Sequence, residues 1–341
     1  MIDRDVLSKL RNMLEERILV VDGAMGTSIQ GLDLSSSDFG GEQYDGCNEY
    51  LNLVRPDLIE EIHKHYIEAG ADIIETNSFG STPLVLSEYG LEEKAYEISR
   101  AAAQLATNAR EQWGNAGRHV FVAGSMGPTT KAISVTGGVT WDQLFDNYYL
   151  QADGLISGGA DLLLVETSQD VLNVKAALLA INNLGEKLGI EIPIAVQCTI
   201  ESMGAMLCGQ DIEAFYSSIS HVNLLWVGMN CATGPEFMRD HVRTLSGISR
   251  FPVAVIPNAG LPDEDGNYNE APESLSETLQ DFCREGWVNV VGGCCGTGPD
   301  HIRKLSEAVK GINPRKNSIK HDTVVSGLES FVIDDDTRPV L

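Results

Sequence analysis

Short runs of apolar, β-branched residues recur along the chain, separated by segments whose apolar residues fall three and four apart. The runs are Ile18–Val21, Asp72–Glu75, Val120–Ala123, Asp161–Glu166, Ile192–Gln197, Leu224–Met229, Val253–Pro257 and Val288–Val291. They are continuously apolar rather than alternating, as in parallel strands covered on both faces. Between them, Leu58, Ile59, Ile62, Tyr66 and Ile67 share one face of a helix that ends at Gly70, a residue suited to the left-handed turn after a helix. Thr140 with Gln143 and Ser274 with Glu277 have the spacing of a capping box and predict two helix starts. Asp211–Ser220, Pro235–Leu245 and Pro299–Val309 predict further helices, the last two opening with proline.

Eight strands alternating with helices predict an α/β chain folded as a (β/α)8 TIM barrel, with a doubly wound open sheet as the alternative. A faint repeat agrees with the barrel: Ala69–Thr76 resembles Gly159–Thr167, each a helix end, a tight turn and a strand closing on a carboxylate. No strand is followed by G-x-G-x-x-G and no phosphate-binding G-x-x-x-x-G-K-[ST] occurs, which weighs against a nucleotide site. Two segments interrupt the alternation, Thr27–Val54 after the first strand and Leu261–Pro272 after the seventh. Both follow strand C-termini, the end at which a barrel builds its active site. The expected organisation is a barrel over 1–312. A linker or tail follows over 313–341, running into Asp334-Asp335-Asp336.

The length of 341 residues suits one barrel with insertions. With 24 Lys+Arg against 49 Asp+Glu, the formal net charge is −25, so neither nucleic acid nor an anionic membrane gains by approaching. No apolar run reaches the roughly 18 residues that cross a bilayer. Met1-Ile2-Asp3-Arg4-Asp5 lacks the apolar core of a secretory leader. A cytoplasmic, reducing setting is therefore expected, in which the seven cysteines are thiols or metal ligands.

Candidate chemistry gathers at the ends of the strands. Gly292-Gly293-Cys294-Cys295-Gly296 is the sharpest element. Adjacent residues of a regular strand point to opposite faces, but a glycine-flanked strand end can turn both sulfurs to one point. Cys231, at the end of the sixth strand, would complete a set of three thiolates, leaving a fourth position open as in catalytic zinc sites. Soft thiolates select Zn²⁺ over Mg²⁺ or Ca²⁺. Such a centre is a poor activator of water, yet it can take a substrate thiol, strip its proton and leave a sulfur nucleophile for an electrophilic methyl group. Buried core thiols or a redox pair are the alternative reading of the vicinal cysteines.

Cys198, Cys208 and Cys283 lie in apolar or helical contexts and read as packed thiols, and Cys47 falls in the long first loop. His63 and His65, two apart, cannot share a helix face and read as helix-surface residues. Asp22 and Glu166 each end a strand, where a buried carboxylate needs a cation such as an amino-acid ammonium. The turn Gly23-Ala24-Met25-Gly26 offers backbone N–H groups to the matching carboxylate.

Taken together, Asp22-Gly23-Ala24-Met25-Gly26-Thr27, Glu75-Thr76-Asn77-Ser78-Phe79, Gly228-Met229-Asn230-Cys231 and Gly292-Gly293-Cys294-Cys295-Gly296 resemble the homocysteine S-methyltransferase family from about Arg17 to Gly311. The resemblance implies a TIM barrel, zinc held by Cys231, Cys294 and Cys295, homocysteine as methyl acceptor, and Asp22 and Glu166 at its amino group. It also implies Asn258 as the fourth zinc ligand before substrate arrives. Cys47-Asn48-Glu49-Tyr50-Leu51-Asn52-Leu53 with Arg55-Pro56-Asp57 look most like the homocysteine module of cobalamin-dependent methionine synthase, and Ser326-Gly327-Leu328-Glu329 resembles the linker leading to that enzyme's folate-binding barrel. That branch implies methylcobalamin as donor, with cobalamin-binding and folate-binding domains elsewhere in the protein or on another chain. A stand-alone methyltransferase using S-methylmethionine or betaine is the alternative within the family. A non-catalytic zinc-binding or thiol-redox scaffold is the alternative outside it.

Overall fold

The computed structural model describes residues 4–114, 118–264, 266–317, 323–334 and 337. Eight parallel strands are β1 Leu19–Val20, β2 Ile73–Glu75, β3 Phe121–Met126, β4 Leu162–Ser168, β5 Ile194–Cys198, β6 Trp226–Asn230, β7 Val253–Ile256 and β8 Val290–Val291. Each is bonded to its sequence neighbour from β2 to β8, and β8 returns to β1. A parallel bridge between Val21 and Ile73 closes the ring. Sequential order with closure is a (β/α)8 barrel; the doubly wound sheet would reverse strand order midway.

The continuous apolar runs are explained by two cores. Leu19, Val21, Ile73, Phe121, Ala123, Leu162, Leu164, Ala195, Trp226, Ala254, Ile256 and Val290 fill the lumen. The alternate residues, among them Val20, Ile74, Val122, Leu163, Val165, Val196 and Val227, pack outward against the helices. Helix Arg4–Glu16, which the strand pattern did not suggest, packs Leu7, Leu10 and Leu14 on the lumen cluster and closes the N-terminal end of the barrel. There Asp72 receives both Arg17 guanidinium nitrogens at 2.8 Å and the Val20 N–H at 3.0 Å, tying β1 to β2.

The capping box at Thr140 is formed, with Gln143 N–H on Thr140 Oγ1 and Gln143 Oε1 on the Thr140 N–H. The one expected at Ser274 is not. That helix begins at Pro272, and Ser274 Oγ instead donates to Glu270 Oε1 at 3.0 Å; a proline at the first position set the start two residues earlier. His63 is also corrected. It is fully buried in helix Pro56–Ala69 with neither ring nitrogen bonded, whereas His65 is exposed. Ile59, Ile62, Tyr66 and Ile67 do define the buried face, and it is wide enough to take in position 63 as well.

The segment after Asn313 carries more structure than its lost periodicity suggests. Arg315 is buried, and donates to the carbonyls of Ser246, Ser249 and Phe251. A hairpin, β9 Thr323–Ser326 with β10 Ser330–Ile333, lies against helix Ile212–Ile219. It is held by the Asp211 N–H on the Leu328 carbonyl and by Ser330 Oγ on Glu213. Of the acidic run, Asp335 and Asp336 lie outside the described residues.

Candidate active site at the barrel mouth

The inward rows of the strands continue past the apolar lumen into polar residues at the C-terminal end. Leu162 and Leu164 lead to Glu166, Phe121 and Ala123 to Ser125, Ile73 to Glu75, and Trp226 and Gly228 to Asn230. Period-two alternation alone aims these four side chains at the barrel axis. Ser125 Oγ donates to Glu166 Oε1 at 2.6 Å. Asn230 Nδ2 donates to Glu166 Oε2 at 3.0 Å and to Thr167 Oγ1 at 2.8 Å, while Asn230 Oδ1 accepts the Thr167 N–H at 2.8 Å. This clasp holds Thr167 in a left-handed conformation, φ 52°, unusual for a β-branched residue.

The three cysteines come together as expected. Their Sγ atoms all lie within 4.8 Å of one another, and Cys231 and Cys295 are 3.9 Å apart. Two sulfurs of a tetrahedral zinc centre, each about 2.3 Å from the metal, stand about 3.8 Å apart, so the donor set fits that ion in type and spacing. Local backbone explains the convergence. β6 ends with Cys231 and Ala232 both left-handed, at φ 63° and 59°, which turns the Cys231 side chain back over the barrel. After β8 the chain turns at Gly296, φ 80°, where a Cβ would sit 2.1 Å from that of Tyr268. Only glycine fits there.

Electrostatics in the trio are unequal. Hydrogen bonds from Cys231 and Cys294, with a further one from the Tyr268 hydroxyl, pull Cys295 down to about 3. Cys294, which donates to both neighbours, is pushed well up. Cys231 gains from Cys294 but donates to Cys295 and is desolvated, ending at about 11. A trio with one ready thiolate loses its other two protons when a cation enters.

These sulfurs share a cavity of about 250 Å³ with Gly23, Ala24, Met25, Glu75, Glu166 and Asn230. It is smaller than the ~300–1,000 Å³ of sites for drug-sized ligands and suits a small metabolite. A larger cleft of about 900 Å³ lies by Trp141, Lys175 and His221, away from these groups. Burial pushes Glu166 up to about 7. Asp22 is raised well above the carboxylate range, first by burial, its Oδ2 taking the Glu75 N–H at 3.1 Å and its Oδ1 left without a partner. In the Gly23–Gly26 turn the Ala24 N–H is already taken by Thr297, but Met25 and Gly26 open a short helix whose first N–H groups lack intrahelical acceptors.

Asn258 stands behind the cluster, its Oδ1 accepting the Cys295 N–H at 3.1 Å. Cys47 is buried beneath Tyr44, Tyr50, Leu53 and Tyr89, outside the cavity. Cys198 and Cys283 are buried and Cys208 is half-buried. Ser125, Asn230 and Glu75 stand in the strand-end sequences without an assigned role, and Tyr268 is not singled out by the sequence. The first three were available from strand alternation; Tyr268 sits in a long loop with no local signal.

The family model described as Homocysteine S-methyltransferase matches residues 19–309. The chain belongs to the homocysteine S-methyltransferase family. It is thereby a methyltransferase with homocysteine as acceptor, and its cysteine trio is a zinc-type site. The metallated homocysteine methyltransferase MmuM from Escherichia coli is similar in structure at 23% identity and TM-score 0.68, over 89% of this chain and 98% of that one. Its apo form is similar at 20% identity and TM-score 0.64, over 86% and 96%. At such identities the likeness is one of fold. Among the described residues no helix is long and apolar enough to cross a membrane.

Proposed function

We propose that this chain is the homocysteine module of a cobalamin-dependent methionine synthase, taking its methyl group from methylcobalamin carried by another domain or chain. The observation that carries the finer reading is the exposure of apolar side chains on the loops that follow the strands, with Phe79 among them lining the cavity. Leu32, Phe79, Val135, Met203, Leu207 and Leu261 are exposed, and each lies on a loop leaving the C-terminal end of a strand. Exposed apolar groups on the loops of an active-site face favour a docking protein over a small dissolved donor. The segment that carries the finer resemblance also builds the cavity wall. Asn48 and Glu49 line it, Glu49 accepts the Gly80 N–H at 2.7 Å, and Asn52 and Asn77 bond to one another. Three gathered thiols need reducing surroundings, in keeping with a cytoplasmic location.

Cys231, Cys294 and Cys295 would hold the zinc, which when bound takes up the substrate thiol and lowers its pKa. Asp22 and Glu166 accept the α-ammonium, and the Met25 and Gly26 N–H groups face the α-carboxylate. The cavity walls hold the amino acid so that its sulfur faces the open mouth. There sulfur forms a bond to the methyl carbon as the donor's bond to that carbon breaks, the donor keeping the electron pair. Orientation of this kind accounts for several kcal/mol of barrier. Asn258 would have to release the Cys295 N–H that its Oδ1 accepts before it could serve as a ligand ahead of substrate.

Turnover separates the donors. The zinc-loaded chain should methylate homocysteine with added methylcobalamin and be inert with S-methylmethionine or betaine. Rapid turnover with either small donor would select the stand-alone enzyme instead.

A further inference from the structure

Three carboxylates, rather than two, converge beside the cysteine trio. Glu75 continues the inward row of β2 from Ile73, as Glu166 continues that of β4, and both line the cavity that holds the sulfurs. Among the described residues no Lys, Arg or His lines this cavity, and Glu49, a further carboxylate on its wall, already holds the Gly80 N–H. The available lone pairs differ between the three groups. Both Glu166 oxygens already receive donors from Ser125, Asn230 and Thr167. Asp22 Oδ2 holds the Glu75 N–H, and its Oδ1 is orphaned. The Glu75 carboxylate accepts no hydrogen bond from any described residue, although burial, then Glu166 and Asp22, push it well above the usual carboxylate range. Glu75 is half-buried and lines the cavity, so its carboxylate is open to donors that a ligand brings.

We propose that Glu75 contacts substrate: with Asp22 and Glu166 it forms a three-carboxylate cup for the α-ammonium, and it sets the preference for an α-amino thiol over the same thiol without the amino group. The match is one of number and direction, since an ammonium fans three N–H donors and the cup supplies three acceptors. One positive charge cannot balance three carboxylates, so at least one of them keeps its proton in the filled site. The inference rests on reading this cavity as the homocysteine site.

Calorimetric titration of the zinc-loaded chain with L-homocysteine and with 4-mercaptobutanoate, its analogue lacking the amino group, tests it. In Glu75→Gln, affinity for homocysteine should fall about tenfold or more, while affinity for 4-mercaptobutanoate stays level or rises, so that the preference collapses. Glu75→Asp should recover part of it. Zinc content and the unfolding midpoint of each variant are measured alongside. An equal loss for both thiols, or an unchanged preference, overturns the role of Glu75 while leaving the homocysteine site intact. If the native chain binds neither thiol, the reading of the cavity falls, and this inference with it.

Discussion

Replacing Ser125 with alanine deletes one oxygen, and the structure specifies how the effect should vary with pH. Ser125 Oγ donates to Glu166 Oε1 at 2.6 Å, and both residues are buried. A hydrogen bond to an ionised carboxylate is worth about 2 kcal/mol, and one to a neutral carboxyl nearer ~0.5. The difference of ~1.5 kcal/mol falls on the charged form, so Ser125→Ala should raise the carboxyl by about one further pH unit. Glu166 itself stands at about 7 because of its burial. Binding an ammonium requires the ionised form. The loss of homocysteine affinity should therefore approach about tenfold at pH 6, be ~5-fold at pH 7 and vanish near pH 9. Stability of the ligand-free protein should move the other way. The variant should be nearly as stable as the native chain at pH 6 but ~2 kcal/mol less stable at pH 9, where the folded carboxylate is charged and lacks its donor. Calorimetric Kd values and urea unfolding, each measured across pH 6–9, read the two trends. An affinity ratio that is flat or grows with pH would refute the assignment of Glu166 to the ammonium.

Three further outcomes are expected. Cys294→Ser should drop bound zinc from stoichiometric to near zero by atomic absorption, with the far-UV circular dichroism of the barrel unchanged; retained zinc would sink the three-thiolate site. Trp226 fills the lumen but leaves its indole N–H unpartnered. Trp226→Phe should accordingly cost less than about 1.5 kcal/mol in urea unfolding, against ~3–5 for Trp226→Ala. Burial lowers His63 to about 4 in the folded state, against ~6.5 unfolded. The unfolded chain thus binds the extra proton, and stability falls as pH drops through this window, by up to ~3 kcal/mol. His63→Leu should flatten that part of the pH–stability curve, and a curve that superimposes on the native one would exclude His63 as the source.

Much of this protein is determined by local pattern. Strands buried on both faces must be apolar at every position, so the eight runs and the alternating helices specify a barrel. Glycines beside Cys294 and Cys295 mark a strand end where two adjacent sulfurs can share a target. Other features are decided only in three dimensions. The closure of β1 on β2, the plug by Leu10 and Leu14, and the docking of the hairpin on helix Ile212–Ile219 join residues far apart in the chain. Burial of His63 depends on how wide a face its helix presents to neighbours. The acid cup is the clearest case. Asp22, Glu75 and Glu166 are ordinary carboxylates in one dimension, and each strand's alternation says only that its side chain points inward. Curling the sheet into a closed barrel brings three carboxyl groups close together at one small cavity, where burial and mutual repulsion raise all three and favour a cationic ligand.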